Sequence, residues 1–353
     1  MAAENSSATE TLLINQHTKT GMWSPAAFPL SIFHYLCILK IRAVFSNDKP
    51  YRDFADYLAA RFPYKVQKIS VNAGFTCPNR DGSKGRGGCT YCNNQSFSPG
   101  YGKPTKTITE QMAYGVQFFS RKYPQMKYLA YFQSYTNTYD SLTSLTEKYE
   151  EALAYPGVVG LIVGTRPDCM PEELLDYFEQ LNKKSFLLIE YGVESTLNRT
   201  LERVNRQHSY EESAVMIRKT AARGIPVGAH MILGLPGESD EEILCHADRL
   251  SEFPLTTLKL HQLQIIRYTA MAREYKLLPE SFRLFEPEEY VDLCVNFAER
   301  LHPDIHIERF TSQSPKRLLI APEWGMKNYE MTARIIKRFR ERDTCQGRLS
   351  GNR

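Results

Sequence analysis

Three of the eight cysteines in this 353-residue chain crowd into one loop, Cys77-Pro-Asn-Arg-Asp-Gly-Ser-Lys-Gly-Arg-Gly-Gly-Cys89-Thr-Tyr-Cys92, at a C-x11-C-x2-C spacing. Thiolates are soft ligands for zinc and for iron–sulfur clusters. The glycines Gly82, Gly85, Gly87 and Gly88 free the backbone for the turns that would swing Cys77 back to the Cys89/Cys92 pair. Three thiolates are one short of a closed tetrahedral zinc site. They suit an iron–sulfur cubane with one iron left open for another ligand. The alternatives are a structural zinc knuckle completed by a distant fourth ligand, or three uninvolved thiols.

The other cysteines, Cys37, Cys169, Cys245, Cys294 and Cys345, lie singly in ordinary patterns and read as buried thiols. Cysteines this sparse do not make a disulfide scaffold, which points to a reducing, cytoplasmic setting. With 42% hydrophobic and 12% aromatic residues, disorder as the main state is excluded. The length allows one large domain, two ordinary ones or a single α/β barrel. A net charge of +4, from 44 basic and 40 acidic residues, is too mild to announce a nucleic-acid protein. Residues 26–45 form the one candidate membrane or signal segment. Lys40 and Arg42 cut its charge-free run to fourteen residues, with Pro29 and His34 inside, where a span needs about 20. No membrane role is expected.

Positioning the cysteine loop requires a scaffold, and the organised pattern begins at Tyr51. Short apolar runs at 66–72, 128–133, 158–164, 186–192, 226–233 and 257–264 alternate with helical periodicity at 108–122, 141–155, 171–182, 210–222 and 238–252. Such alternation reads as βαβ units in a parallel sheet, which holds its ligands at the carboxyl ends of the strands. The cysteine loop, FQSYTNTY, GTRPD, GVES and GLPGE follow the first five strands in turn, so all five fall on one rim. The expected organisation is an unstructured extension over 1–50, a core barrel over 51–305, and a C-terminal extension over 306–353 with a helical segment and a basic tail.

The motifs CPNRDG…GGCTYC, FQSYTNTY, GTRPD, RxNRQH and GLPGE, in this order, resemble radical S-adenosylmethionine (SAM) enzymes of the YhcC/YtqA-like group. The resemblance covers residues 51–324. It implies a partial (β/α)6 TIM-type barrel, with a [4Fe-4S] cluster on the catalytic cysteines Cys77, Cys89 and Cys92. It also implies SAM on the unique iron, reductive cleavage to a 5'-deoxyadenosyl radical, and an electron donor such as flavodoxin or ferredoxin. Two departures stand out: the superfamily's usual spacing is C-x3-C-x2-C, and its Gly-Gly-Glu motif after strand two is missing. Gln133, Ser134 and Thr136 occupy that rim instead and can accept from the SAM ammonium.

Glu194 and Arg206, twelve residues apart, resemble the SAM-contacting pair of coproporphyrinogen-type radical SAM enzymes, an arginine fork suiting a carboxylate. The alternative is a surface ion pair. By the same resemblance Tyr91, His230, Ile232 and Gly234 join the cofactor-binding set, His230 in the place of a ribose contact. Arg166 in GTRPD faces either the SAM carboxylate, an anionic substrate or Asp168. Tyr135, Asn137, Tyr139 and His261 are the candidate substrate contacts. The group resembles the radical SAM core of the Elongator catalytic subunit, which implies a tRNA substrate, at a wobble uridine side chain. Eleven Arg/Lys against five Asp/Glu over 308–353 fit a phosphate-tracking tail. A small metabolite or a protein is the alternative substrate.

Overall fold

The computed structural model describes residues 49–121 and 125–351. The expectation for the N-terminal extension, the 26–45 segment and Cys37 therefore lies outside the described residues, apart from Lys49 and Pro50. Helix α1 (Phe54–Ala59) leads into β1 (Val66–Val71), the cysteine loop with its one-turn α2 (Pro78–Asp81), and α3 (Ile108–Ser120). There follow β2 (Lys127–Phe132), α4 (Leu142–Ala154), β3 (Val158–Thr165), α5 (Glu172–Asn182), β4 (Phe186–Glu194), α6 (Asn198–Arg203) and α7 (Tyr210–Ala222). The chain continues through β5 (Val227–Leu233), α8 (Asp240–Leu250), β6 (Thr257–Gln262), the two-residue β7 (Ile265–Ile266), α9 (Ala270–Leu277) and α10 (Pro287–Arg300). It ends with β8 (His306–Arg309), β9 (Leu319–Ala321) and α11 (Asn328–Glu341).

The main sheet has seven parallel strands in the order β1-β2-β3-β4-β5-β6-β8. Side chains alternate across it with period two. Ile69, Ala130, Phe132, Leu161, Val163, Leu187, Ile189, Val227, Ala229, Leu258 and Ile307 face the helices in the large core. On the other face Leu129, Tyr131, Ile162 and Leu188 pack with Phe54 and Tyr57 of α1, which closes the amino-terminal end of the barrel. Lys68 on β1 bonds Glu308 on β8. These are the two edge strands, so that contact requires the sheet to curl back on itself as a half-barrel. Ser209 and Ser239 start α7 and α8 with capping boxes to Glu212 and Glu242, a reciprocal satisfaction of helix-end donors. Those serines stop each loop at a defined residue.

The six-strand expectation misses β8, because four residues with two charges carry too little periodicity to read as a strand. The division expected at 305/306 cuts this sheet: His306 and Ile307 stand in register with Thr257 and Leu258. The sixth run also splits, since the chain leaves β6 after Gln262 and pairs β7 with β9 in a separate antiparallel ribbon. The basic tail is not a free arm. Arg334 and Arg338 reach Glu288 on α10, Arg338 and Arg342 reach Asp292, and Lys337 and Arg338 reach Glu341. Met331, Ile335 and Phe339 on the opposite stripe of α11 are buried, so an amphipathic helix docks apolar face inward and clasps α10 with its charges. Among the described residues no helix is long and apolar enough to cross a membrane.

Candidate active site

The cysteine loop folds back over the carboxyl ends of the strands by satisfying its own backbone. Cys77 is the residue before α2, and the Gly88 N–H donates to Asn79 O at 2.8 Å. Gly88 adopts φ +78°, a conformation glycine reaches without a Cβ penalty. The buried Asn79 amide donates to Asn205 O at 2.6 Å and lies 3.6 Å from Cys89 Sγ, while Asn205 Nδ2 donates to Gly88 O at 2.9 Å. The loop is thus stitched to the segment after α6. Cys77, Cys89 and Cys92 line one cavity of about 200 Å³ at the barrel mouth. Burial first, then Cys89, push the Cys92 thiol up to about 12, so its thiolate form needs a bound cation to stabilise it.

Arg206 enters the same cavity between two residues of left-handed backbone, Asn205 (φ +53°) and Gln207 (φ +61°). Its Nη2 donates to Gly192 O at 2.5 Å and stands 3.6 Å from Glu194 Oε1, and its Nη1 faces Cys89 Sγ at 3.6 Å. Burial would lower the guanidinium pKa, but Tyr91, Cys89 and Glu194 hold it well above its ordinary value. The pair is no surface ion pair: the two side chains are 9% and 13% exposed. A register shift between Gly192 and Glu194, with Glu194 at φ +69°, turns the Glu194 carboxylate toward this mouth.

Among the other expected residues, Tyr91, Gln133, Tyr135, Arg166, His230, Ile232 and His261 also line the cavity. Arg166 does so with its fork already engaged. Nε and Nη2 donate to Asp168 at 2.9 Å each, Nη1 to Arg206 O at 2.9 Å and Nη2 to Gln207 O at 3.2 Å. It braces the strained Asn205–Gln207 turn rather than offering a free anion receptor. Ser134, Asn137, Tyr139 and Gly234 do not line the cavity. Ser134 Oγ bonds Ser98 Oγ, Asn137 Nδ2 caps Gly164 O at 2.7 Å, and the Tyr139 hydroxyl bonds Ser83 Oγ at 2.6 Å. Gly234 lies under Phe285, whose ring a Cβ would meet at 2.8 Å. In each case the strand-end polar group or glycine packs on or bonds a neighbouring segment rather than facing the cavity. Of the cysteines outside the loop, Cys169, Cys294 and Cys345 are buried and Cys245 is exposed, because the core-facing positions of α8 are Ile243, His246, Ala247 and Leu250.

The sequence reading missed the ionic layer beneath the cavity. Glu190 accepts from Lys259 Nζ at 2.5 Å and from His230 Nε2 at 3.0 Å. Lys259 also donates to the Tyr131 hydroxyl at 2.8 Å and pairs with Glu308 at 3.1 Å, and Lys68 stands 3.6 Å from Glu190 Oε1. Burial would raise the Glu190 carboxyl, but Lys259 and Lys68 hold it well below its ordinary range. Burial pulls Lys259 down to about 8 against the opposing pull of Glu190 and Glu308. A signal was present: Glu190 lies two and four residues before Gly192 and Glu194, and Lys259 two before His261, which puts them on the inward face at period two.

The donor set fits an iron–sulfur cluster. Nitrogen donors from Arg206 and Asn79 face Cys89 Sγ, and such hydrogen bonds to sulfur are a main control of cluster potential. A cubane binds each thiolate on a different iron and needs three thiolates with one iron left open, whereas a closed tetrahedral zinc site needs a fourth protein ligand.

A curled parallel half-barrel with a three-cysteine loop after its first strand is the architecture of radical SAM proteins. Residues 76–250 match the Radical SAM superfamily and residues 255–341 the Radical_SAM C-terminal domain. The chain belongs to the radical SAM superfamily and is a radical SAM enzyme. It is 32% identical over 304 residues to YtqA of Bacillus subtilis, covering 86% of this chain and 94% of that one. To YhcC of Escherichia coli it is 35% identical over 277 residues, 77% and 86% of the two chains. A tRNA uridine(34) acetyltransferase of Methanocaldococcus infernus is 24% identical over 166 residues, 46% of this chain and 30% of that one. The solved archaeal M. infernus Elp3, lacking residues 1–46, shares the fold at TM-score 0.61 and 16% identity, over 80% of this chain and 64% of that one.

Proposed function

We propose that Cys77, Cys89 and Cys92 hold a [4Fe-4S] cluster, that Arg206, Glu194, Gln133, Tyr91 and Ile232 hold SAM beside it, and that the substrate is a tRNA base. The observation that carries the cofactor assignment is the convergence of the three cysteines and the Arg206–Glu194 pair on one cavity. When bound, cluster and SAM supply a 5'-deoxyadenosyl radical that takes a hydrogen atom from substrate. The chain's own residues do the rest. Arg206 stays charged and, with its Nη atoms on Gly192 O and Cys89 Sγ and its buried Nε unpartnered, presents a cation to a carboxylate. The Gln133 side chain lines the cavity with no side-chain hydrogen bond among the described residues and can accept from an ammonium. Tyr91 and Ile232 give the cavity apolar walls for a purine. The required electron comes from a small carrier of the flavodoxin or ferredoxin kind, in the cytoplasm.

Support for tRNA comes from the rim. Arg80, Arg86, Arg267, Lys316 and Arg317 are exposed and have no carboxylate partner among the described residues. The Arg267 N–H bonds Leu318 O and Asn93 Nδ2 bonds Arg267 O, so the 265–268 and 316–318 segments sit against the cysteine loop. Exposed Tyr268, Phe97 and Tyr135 stand among these cations, with Arg80 over the Tyr135 ring. Interleaved cations and rings suit a phosphate backbone with unstacked bases. The tRNA uridine(34) acetyltransferase relative points the same way.

The test is tRNA affinity across a salt series. Arg267→Ala/Lys316→Ala/Arg317→Ala should flatten the slope, each lost phosphate contact removing about one unit of log–log dependence. Equal slopes, or no tRNA binding by the wild type at low salt, would move the substrate to a small metabolite or a protein.

A further inference from the structure

The wall of the cavity formed by β5 and β6 carries two histidines whose hydrogen-bond partners determine which nitrogen bears the proton. His261 Nε2 lies 2.9 Å from Arg309 Nη2. A guanidinium can only donate, so His261 Nε2 is a bare acceptor and, in the neutral ring, Nδ1 carries the hydrogen. His230 Nε2 lies 3.0 Å from Glu190 Oε2. Glu190 is ionised and can only accept, so His230 Nε2 carries the hydrogen and Nδ1 is bare. Both rings are neutral at physiological pH, since burial, followed by Lys259 for His230 and by Arg309 for His261, lowers each from its ordinary value. The ring centroids are 5.7 Å apart, tilted by 38°. Both residues line the cavity, and among the described residues each ring bonds through Nε2 alone. The two rings on this wall therefore have an unpartnered N–H on His261 and an unpartnered lone pair on His230, each held in that role by the partner of its Nε2.

We propose that His261 and His230 are specificity-determining residues that read the acceptor–donor edge of the substrate base, with Arg309 and Glu190 as the positioning residues that set the two tautomers. This rests on the tRNA reading above and adds the contact by which a base is recognised. A carbonyl beside a ring N–H, as at O4 and N3 of uracil, is complementary to the pair. A group lacking either half leaves one buried nitrogen unsatisfied. This places His230 on substrate, where the sequence resemblance had it on the SAM ribose.

The experiment uses reconstituted, SAM-loaded protein and three probes: unmodified tRNA, uridine 5'-monophosphate and its N3-methyl derivative. Uridine monophosphate should bind about tenfold more tightly than the N3-methyl derivative, the cost of one buried donor or acceptor left unpaired. His261→Phe and His230→Phe should abolish that preference, and His261→Gln and His230→Gln, which keep a donor and an acceptor, should restore part of it. SAM affinity, measured in parallel, should stay within about twofold in all four variants, well inside one hydrogen bond's worth of affinity. Equal binding of the two nucleotides while tRNA still binds would overturn the edge assignment and leave the RNA reading standing. A parallel loss of SAM affinity would return His230 to the cofactor and overturn it too. No binding of tRNA or of either nucleotide would remove the RNA reading, and with it this role for the pair.

Discussion

Replacing Lys259 by methionine isolates the ionic layer below the cavity. The ammonium stands 2.5 Å from Glu190 Oε2, 3.1 Å from Glu308 Oε1 and 2.8 Å from the Tyr131 hydroxyl. Lys259 and Glu190 side chains are 2% and 1% exposed. Methionine fills a similar volume without charge, so the change leaves two buried carboxylates sharing the one remaining cation, Lys68. Breaking a buried pair from one side costs about 3 to 5 kcal/mol. Lys68 places this case at the lower end, about 3 kcal/mol, a large share of the roughly 5 to 15 kcal/mol of a typical domain. Lys259→Met/Glu190→Gln restores neutrality, because Lys68 and Glu308 remain paired and the glutamine still accepts from His230. The double variant should lie within about 1 kcal/mol of the wild type, because a fully uncharged replacement avoids the desolvation penalty. Urea unfolding of wild type, both single variants and the double gives the coupling. A single variant as stable as the wild type, or a double whose loss equals the sum of the singles, would refute the reading of Glu190 and Lys259 as a mutually dependent buried pair.

Cys77→Ala, Cys89→Ala and Cys92→Ala should each lose the brown chromophore and the iron, expected at about four per chain for a [4Fe-4S] cluster, while Cys169→Ala and Cys294→Ala keep both. Zinc at one per chain would favour the zinc alternative. Gly192→Ala puts a methyl 2.5 Å from Glu194 Oε1 and 2.6 Å from Arg206 Nη2. Displacing the guanidinium from Gly192 O should raise the SAM dissociation constant about tenfold or more with iron content unchanged, and unaltered SAM binding would contradict Arg206 as its anchor. Because His230 and His261 resist protonation when folded, the unfolded chain takes up more protons below their ordinary pKa. Stability should therefore fall as pH drops below about 6.5, and His261→Gln should flatten that fall in urea midpoints. Arg338→Ala cuts contacts to Asp292, Glu288 and Glu341 and should cost about 1 kcal/mol as a partly exposed network, without altering the salt slope of tRNA binding.

Local order was legible where it follows from local chemistry. Periodicity located five of the long helices and the first six strands to within a few residues, because apolar spacing and caps such as Ser209 and Ser239 act within one turn of the chain. The cysteine spacing and the motif order placed the site on the carboxyl rim, since a parallel βα alternation leaves its loops nowhere else to go. The register of a strand likewise dictates that Glu190, Gly192 and Glu194 share a face.

Partners distant in sequence were decided only by the tertiary structure. Whether Arg166 is free or engaged depends on carbonyls forty residues away at Arg206 and Gln207, which no spacing rule relates to it. The basic residues of α11 looked available for phosphates until α10 supplied Glu288 and Asp292 opposite them. The tautomers of His230 and His261 come from Glu190 and Arg309 on neighbouring strands. Composition counts charges, but the curl of the sheet that brings Lys68 against Glu308 determines which of them face one another and which are left for a ligand.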